Sequence, residues 1–194
     1  GPQGTLVSGR PFNDSDALEN LSLVNAAPGD YVLQVTGATG AYAFRVLDLS
    51  SATELTPGTA VSGTLNPANE TDAYRFEAQA GERFFFDMEG RSGGDVHWRL
   101  VDPLGRVVWG PANTNGNRDV DVTTLAMAGT YTLLIEGRAY TSGTAAYTVN
   151  VRRAVVNTAA MALGEAVGGS IGAAGAIDVY TLDLATDTRV LFDS

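Results

Sequence analysis

Cysteine and lysine are both absent from this 194-residue chain, and histidine occurs once. Without cysteine there is no disulfide, no thiol nucleophile and no thiolate metal site. Without lysine there is no Schiff base, no P-loop lysine and no Lys–Asn isopeptide cross-link. With His97 alone, clustered imidazole ligands are excluded, and any Ser–His pair has only this residue to draw on. No apolar stretch approaches 18 residues, so no helix of this sequence spans a bilayer. Basic residues are scarce: 12 arginines face 22 carboxylates, for a net charge of −10. That balance disfavours nucleic acid and anionic membranes, which reward bound cations. Stability must come from packing, hydrogen bonds, ions or neighbours. The start, Gly1-Pro2-Gln3-Gly4, carries no secretory leader and reads as the cut end of a longer protein or a tag remnant.

What is present is a repeat of about 100 residues. Gly29-Asp30-Tyr31-Val32-Leu33-Gln34-Val35-Thr36-Gly37 returns as Gly129-Thr130-Tyr131-Thr132-Leu133-Leu134-Ile135-Glu136-Gly137. Ala41-Tyr42-Ala43-Phe44-Arg45-Val46 returns as Ala146-Tyr147-Thr148-Val149-Asn150-Val151. Val61-Ser62-Gly63-Thr64-Leu65 returns as Val167-Gly168-Gly169-Ser170-Ile171, and Thr71-Asp72-Ala73-Tyr74-Arg75-Phe76 as Ile177-Asp178-Val179-Tyr180-Thr181-Leu182. The phase places the rear half of one unit at 1–50, a complete unit at 52–152 and the front half of a further unit at 153–194. Asp48-Leu49-Ser50-Ser51 and Val155-Val156-Asn157-Thr158-Ala159 read as linkers, with a short helical turn as an option for 158–163.

Every main element reads as a strand. Tyr31, Leu33 and Val35 alternate with smaller or polar neighbours, as do Tyr131, Leu133 and Ile135. Tyr42, Phe44 and Val46 do likewise, as do Tyr147, Val149 and Val151. Phe84 and Phe86 point inward and Phe85 outward; Val96, Trp98 and Leu100 form another inward row. Period-two patterning with a polar opposite face predicts half-buried antiparallel sheet. Turns such as Asp102-Pro103-Leu104-Gly105 punctuate it. The fold class expected is all-β: an antiparallel β-sandwich of jelly-roll type, repeated at about 100 residues. The two half units then have three ways to satisfy their faces. They pack on each other within the chain, they pair head to tail between molecules, or the unit boundary is permuted.

The polar residues divide between chemistry and structure. Asp72 and Asp178 hold equivalent places before an inward aromatic; each is either a calcium ligand or a carboxylate capping a loop. Asp87 and Asp193 also correspond, at a strand end, and the same two readings apply to them. Asn13-Asp14-Ser15-Asp16 with Glu19 has the composition of a calcium loop but lacks the EF-hand glycine and flanking helices. The metal candidates are therefore Asp14, Asp16, Glu19, Asp72, Asp87 and Asp178, and the ion would be Ca²⁺. His97 alternates with Val96 and Trp98, which predicts an exposed place on the outer sheet face and no catalytic role. Asp119 and Asp121 share one face of an expected edge strand, where charge blocks edge pairing. Trp98 reads as core. Trp109, with 138–140, is the candidate patch for stacking on a sugar.

One composite motif resembles a known family. It runs Gly63-Thr64-Leu65, Asp72-Ala73-Tyr74-Arg75-Phe76, Ala80-Gly81-Glu82-Arg83, Phe84-Phe85-Phe86-Asp87, then from Trp98 to Gly105, then Ala128-Gly129-Thr130-Tyr131-Thr132-Leu133. This is similar to the bacterial pre-peptidase C-terminal domain family, over 52–152 in full and over the flanking halves in part. The resemblance implies a jelly-roll-like sandwich without catalysis, found beside secreted peptidases or in tandem in large surface proteins and adhesins. It implies an extracellular or cell-surface place and neighbouring repeats of the same protein as partners. A structural spacer repeat is the function expected. Binding of glycan or matrix protein, or service as an accessory domain of a secreted peptidase, are the alternatives. Calcium-carrying relatives use an acidic N-terminal cluster that has no full match here.

Overall fold

Period-two alternation becomes two stacked antiparallel sheets. The computed structural model describes residues 1–11, 16–19, 23–37 and 39–193. In chain order the strands are β1 (Thr53–Glu54), β2 (Val61–Leu65), β3 (Thr71–Ala78), β4 (Arg83–Gly93), β5 (Val96–Val101), β6 (Val107–Asn113), β7 (Val120–Thr124), β8 (Gly129–Gly137), β9 (Ala145–Arg153), β10 (Val156–Ala160) and β11 (Ile177–Thr181). A five-stranded sheet runs β1-β3-β8-β5-β6, and a four-stranded sheet runs β2-β9-β4-β7. From β2 to β9 the chain changes sheet at every connection except β5 to β6. This builds a β-sandwich from the residues expected to form it.

The core lies between the sheets. Tyr74 and Phe76 of β3, Trp98 and Leu100 of β5, and Tyr131, Leu133 and Ile135 of β8 enter from one side. Phe84, Phe86 and Met88 of β4, with Tyr147, Val149 and Val151 of β9, enter from the other. Rings interlock across the gap: Phe76 lies 5.2 Å from Phe84, and Phe86 meets Trp109 edge-on at 4.9 Å. Trp109 also meets Trp98 edge-on at 5.6 Å, so its ring is spent inside the sandwich rather than offered for stacking. Each fully buried Phe or Leu side chain contributes about 1.5–3 kcal/mol relative to exposure.

The turns are local chemistry. Asp102 Oδ1 accepts the N–H groups of Leu104 and Arg106, each at 2.9 Å, and its Oδ2 takes Arg106 Nε at 2.7 Å. The Asx turn expected there is formed. β7 is an edge strand, as its charges imply: Asp119 accepts Met88 N–H at 2.9 Å, and Asp121 accepts the N–H of Val122 at 2.7 Å.

Three expectations about local structure change. Residues 156–160 form β10 instead of a linker or helical turn, because they pair in parallel with β11, Thr158 opposite Val179 and Ala159 opposite Tyr180. This is the register of β1 on β3, Thr53 opposite Tyr74, displaced by 106 residues. Residues 49–51 form one 3-10 turn capped by Asp48, which accepts Ser50 N–H at 2.9 Å. Segments 31–35 and 42–46 have the alternation of β8 and β9 but join no ladder among the described residues. The reason is pairing: β8 lies between β3 and β5, and β9 between β2 and β4. The described residues before 49 contain no strands to play those parts.

Candidate functional site

The strongest concentration of charge inside the protein lies on the outer face of the five-stranded sheet. In β5, parity sends Val96, Trp98 and Leu100 to the core and His97 and Arg99 to the other face. In the ladder His97 stands opposite Glu136 of β8 and opposite Asn113 of β6. Arg99, two residues along, reaches diagonally and donates from Nε to Glu136 Oε2. Both members of this pair are buried. Burial raises the Glu136 carboxyl above its usual range, against the lowering effect of Arg99.

Residues 16–19 cover that face. Arg99 Nη2 donates to the carbonyl of Ala17 at 2.6 Å, and both Nη atoms lie 3.4 Å from the carbonyl of Glu19. Arg138, just beyond β8, donates from Nε to Asp16 Oδ1 at 2.6 Å and lies 3.6 Å from Asp95. Asp16 Oδ2 also takes the N–H of Ala139 at 2.8 Å, and Oδ1 the N–H of Leu18 at 3.0 Å. Burial pushes the Asp16 carboxyl upward, but these N–H groups and the Arg138 guanidinium outweigh it and leave its pKa below the usual value.

His97 is buried on this face, which corrects the expectation of an exposed sheet residue. Its Nε2 lies 3.3 Å from Asn113 Nδ2, and its Nδ1 lies 3.9 Å from Asp95 Oδ1. Burial depresses its pKa, with Asp95 opposing. Among the described residues no hydroxyl is hydrogen-bonded to the ring. The cluster consists of two guanidiniums gripping two carboxylates, Glu136 and Asp16, and backbone carbonyls, the strong charge-assisted form of hydrogen bond.

The carboxylates named as metal candidates are spread over the molecule. Asp16 sits in the cluster just described. Glu19 is near it through its backbone carbonyl. Asp72 accepts the Tyr147 hydroxyl at 2.6 Å, inside the edge of the sandwich. Asp87 pairs with Arg152 at 3.0 Å on the outer face of the four-stranded sheet. Burial raises its carboxyl pKa, with Arg152 working the other way. Asp178 accepts from Asn157 Nδ2 at 2.8 Å beside β11. Asp14 lies outside the described residues. Among the described residues no group of three or more His, Asp or Glu side chains is placed to hold a metal ion.

Arg99, Glu136 and Asp95 were not singled out by the sequence reading. The available signal was a charge set within an apolar strand: Arg99 in Val96-His97-Trp98-Arg99-Leu100-Val101, and Glu136 after Leu133-Leu134-Ile135. Within the 138–140 patch the two side chains stay together. Arg138 turns to Asp16 while its guanidinium lies 4.7 Å over the ring of Tyr140, and Tyr140 is 71% exposed.

No family model matches this chain, and no curated protein matches it. Among solved structures it is similar to PliG of Aeromonas hydrophila, a periplasmic inhibitor of g-type lysozyme. The identity there is 12% and the TM-score 0.41, over 52% of this chain and 96% of that one. It is also similar to the pre-peptidase C-terminal domain of collagenase from Bacillus anthracis, at 22% identity and a TM-score of 0.43, over 53% of this chain and 95% of that domain. The PliG of Salmonella Typhimurium gives 15% identity and a TM-score of 0.37, over 52% and 98%.

Proposed function

We propose that this chain is a non-catalytic structural repeat of a bacterial extracellular or surface protein, with β-sandwich units of about 100 residues following one another. In this reading 52–152 is one complete unit, 1–50 the rear half of the unit before it, and 153–194 the front half of the unit after it. The observation that carries it is the recurrence of single hydrogen bonds at fixed offsets. Leu55 N–H donates to Arg75 C=O at 2.8 Å, and 106 residues later Met161 N–H donates to Thr181 C=O at 2.9 Å. The turn from Thr59 N–H to Thr56 C=O likewise returns from Glu165 to Ala162. At an offset of 100, Tyr31 donates its hydroxyl to Ala27 C=O at 2.8 Å and Tyr131 to Met127 C=O at 2.9 Å. The pre-peptidase-like motif from Gly63 to Leu133 supports the same reading.

Trypsin provides the test, since the chain offers it arginine alone. The expected fragment spans the complete unit, cut after Arg45 or earlier and after Arg153 or later. Early cleavage within the β2–β9 region would overturn the unit boundaries. A second arm exposes the chain to arrays of glycans and matrix proteins. A spacer binds none of them saturably, whereas specific binding abolished by Tyr140→Ala would replace the spacer reading with a binding module.

A further inference from the structure

Residues 16–19 are seated unlike the rest of their surroundings. Among the described residues before 49, only Asp16 and Ala17 are buried, and Ala17 is 0% exposed. We propose that the outer face of the five-stranded sheet is a docking socket for this segment, and that the socket locks the sequence before residue 48 onto the complete sandwich in one orientation. This rests on reading 1–50 as part of a neighbouring unit, and makes the socket an interface between successive units.

The recognition is written in the polar groups. Arg99 lies in the middle of a sheet, and Glu136 satisfies only one side of its guanidinium. The Nη donors would lose hydration under any apolar cover, and an unmatched buried charge is costly. The segment supplies what they need, the carbonyls of Ala17 and Glu19. Asp16 meets Arg138 and the Ala139 N–H in a two-pronged grip. The socket therefore reads a carboxylate, then a small residue, then a carbonyl two positions further on. Alanine between them is a size requirement, because its side chain has no exposed surface in which a larger one could be placed.

Two further contacts turn a grip into a fixed joint. Arg45 donates from Nη2 to Thr71 C=O at 2.7 Å and pairs with Glu70 at 3.1 Å. The connection at 49–51 is one 3-10 turn whose cap, Asp48, accepts both the N–H and the hydroxyl of Ser50 and so holds the turn. Anchors at 16–19, at 45 and at the linker are separated in sequence, so together they restrict rotation as well as distance.

His97 is the only imidazole of the chain and is buried two residues along β5 from Arg99, which holds the segment, so it serves as the reporter on docking. Its ring would be followed by NMR through a pH titration of the full chain, as wild type, Asp16→Asn and Ala17→Arg. Asp16→Asn weakens the grip without adding bulk, and Ala17→Arg expels the segment by size. With the segment docked, the midpoint stays below the ordinary imidazole value of about 6.5. In Ala17→Arg it is expected to move up toward that value by roughly half a unit or more; in Asp16→Asn the rise is smaller, because the lost carboxylate itself favours the charged ring, and circular dichroism keeps the sheet signal in both. An unchanged midpoint in both folded variants would overturn the socket. If one variant fails to fold, the other decides. The tryptic map tests the unit reading separately, so a moved midpoint with a wrong map leaves an intrachain clasp and removes the interface between units.

Discussion

Tyr147 of β9 and Asp72 of β3 meet across the two sheets, the hydroxyl donating to Oδ2 at 2.6 Å. The Tyr74 hydroxyl lies 2.6 Å from that of Tyr147, making a chain of three polar groups at the margin of the core. Burial raises both tyrosine pKa values, so both remain protonated donors. Asp72 thus has a structural use that its position before an inward aromatic did not distinguish from metal ligation. Tyr147→Phe removes the central member and leaves Asp72 without its donor. The expected loss is about 1–3 kcal/mol in urea unfolding. Asp72→Asn, which keeps an acceptor, is expected to lose less. Equal losses would mean that the carboxylate charge, not the hydrogen bond, matters.

Calcium is expected to leave the melting midpoint unchanged. Asp16, Asp72, Asp87 and Asp178 are each engaged by an arginine, a tyrosine hydroxyl, an amide or backbone N–H groups, at separate places. A calcium ion needs several of its 6–8 oxygen ligands from one locality, and these carboxylates do not converge. The check is a melt with millimolar calcium and with chelator at matched ionic strength. A folded-state site at hundredfold excess over its dissociation constant adds about 2.7 kcal/mol, a rise of several degrees. Such a rise would show a site built from other residues, Asp14 among the candidates.

The sandwich was legible because side-chain alternation is a local property. Phe84 and Phe86 point inward, and Trp98 is core, from parity alone. The same rule placed His97 on the outer face, yet it is buried there beside Asp95 and Asn113, on the face that residues 16–19 contact through Arg99, which no local pattern reports. β10 was hidden for a related reason. Asn157-Thr158-Ala159-Ala160 has little strand preference of its own, and its pairing with β11 decides the matter. The reverse holds at 31–35 and 42–46, where the pattern of a strand is present and, among the described residues, the flanking strands are not. Of the charged cluster, Arg99 and Glu136 were visible as charges inside apolar strands, but their partnership needed the register of β5 on β8.

The burial of His97 sets a pH dependence. Burial lowers its folded pKa, Arg138 and Arg99 add to this, and Asp95 and Asp16 oppose it. The unfolded chain therefore takes up the proton first as pH falls. This contribution to stability is complete above the unfolded value of about 6.5 and declines as pH drops from there toward the folded value. Urea unfolding between about pH 5 and 7.5 should show this slope in wild type and a flatter line in His97→Gln. Identical slopes would assign the dependence to the carboxylates instead.

Gly175 ties the downstream segment to the other face of the sandwich. Its φ is +76°, and a Cβ there would lie 2.3 Å from Cβ of Phe85. Phe85, whose side chain points away from the core, is buried by this close approach. Nearby, the Ala154 N–H donates to Arg83 C=O at 2.8 Å and holds the exit of β9. Gly175→Ala combines a left-handed backbone, costing about 1 kcal/mol, with a direct clash. The complete sandwich does not depend on that contact, so its unfolding should barely change. The turn should lift instead, and tryptic cleavage after Arg153 should quicken by roughly fivefold or more, since local opening governs proteolysis. Phe85→Ala removes the same seat from the sheet side and should quicken the same cut. An unchanged cleavage rate in both would mean that residues 154–176 hold on through β10 and β11 alone.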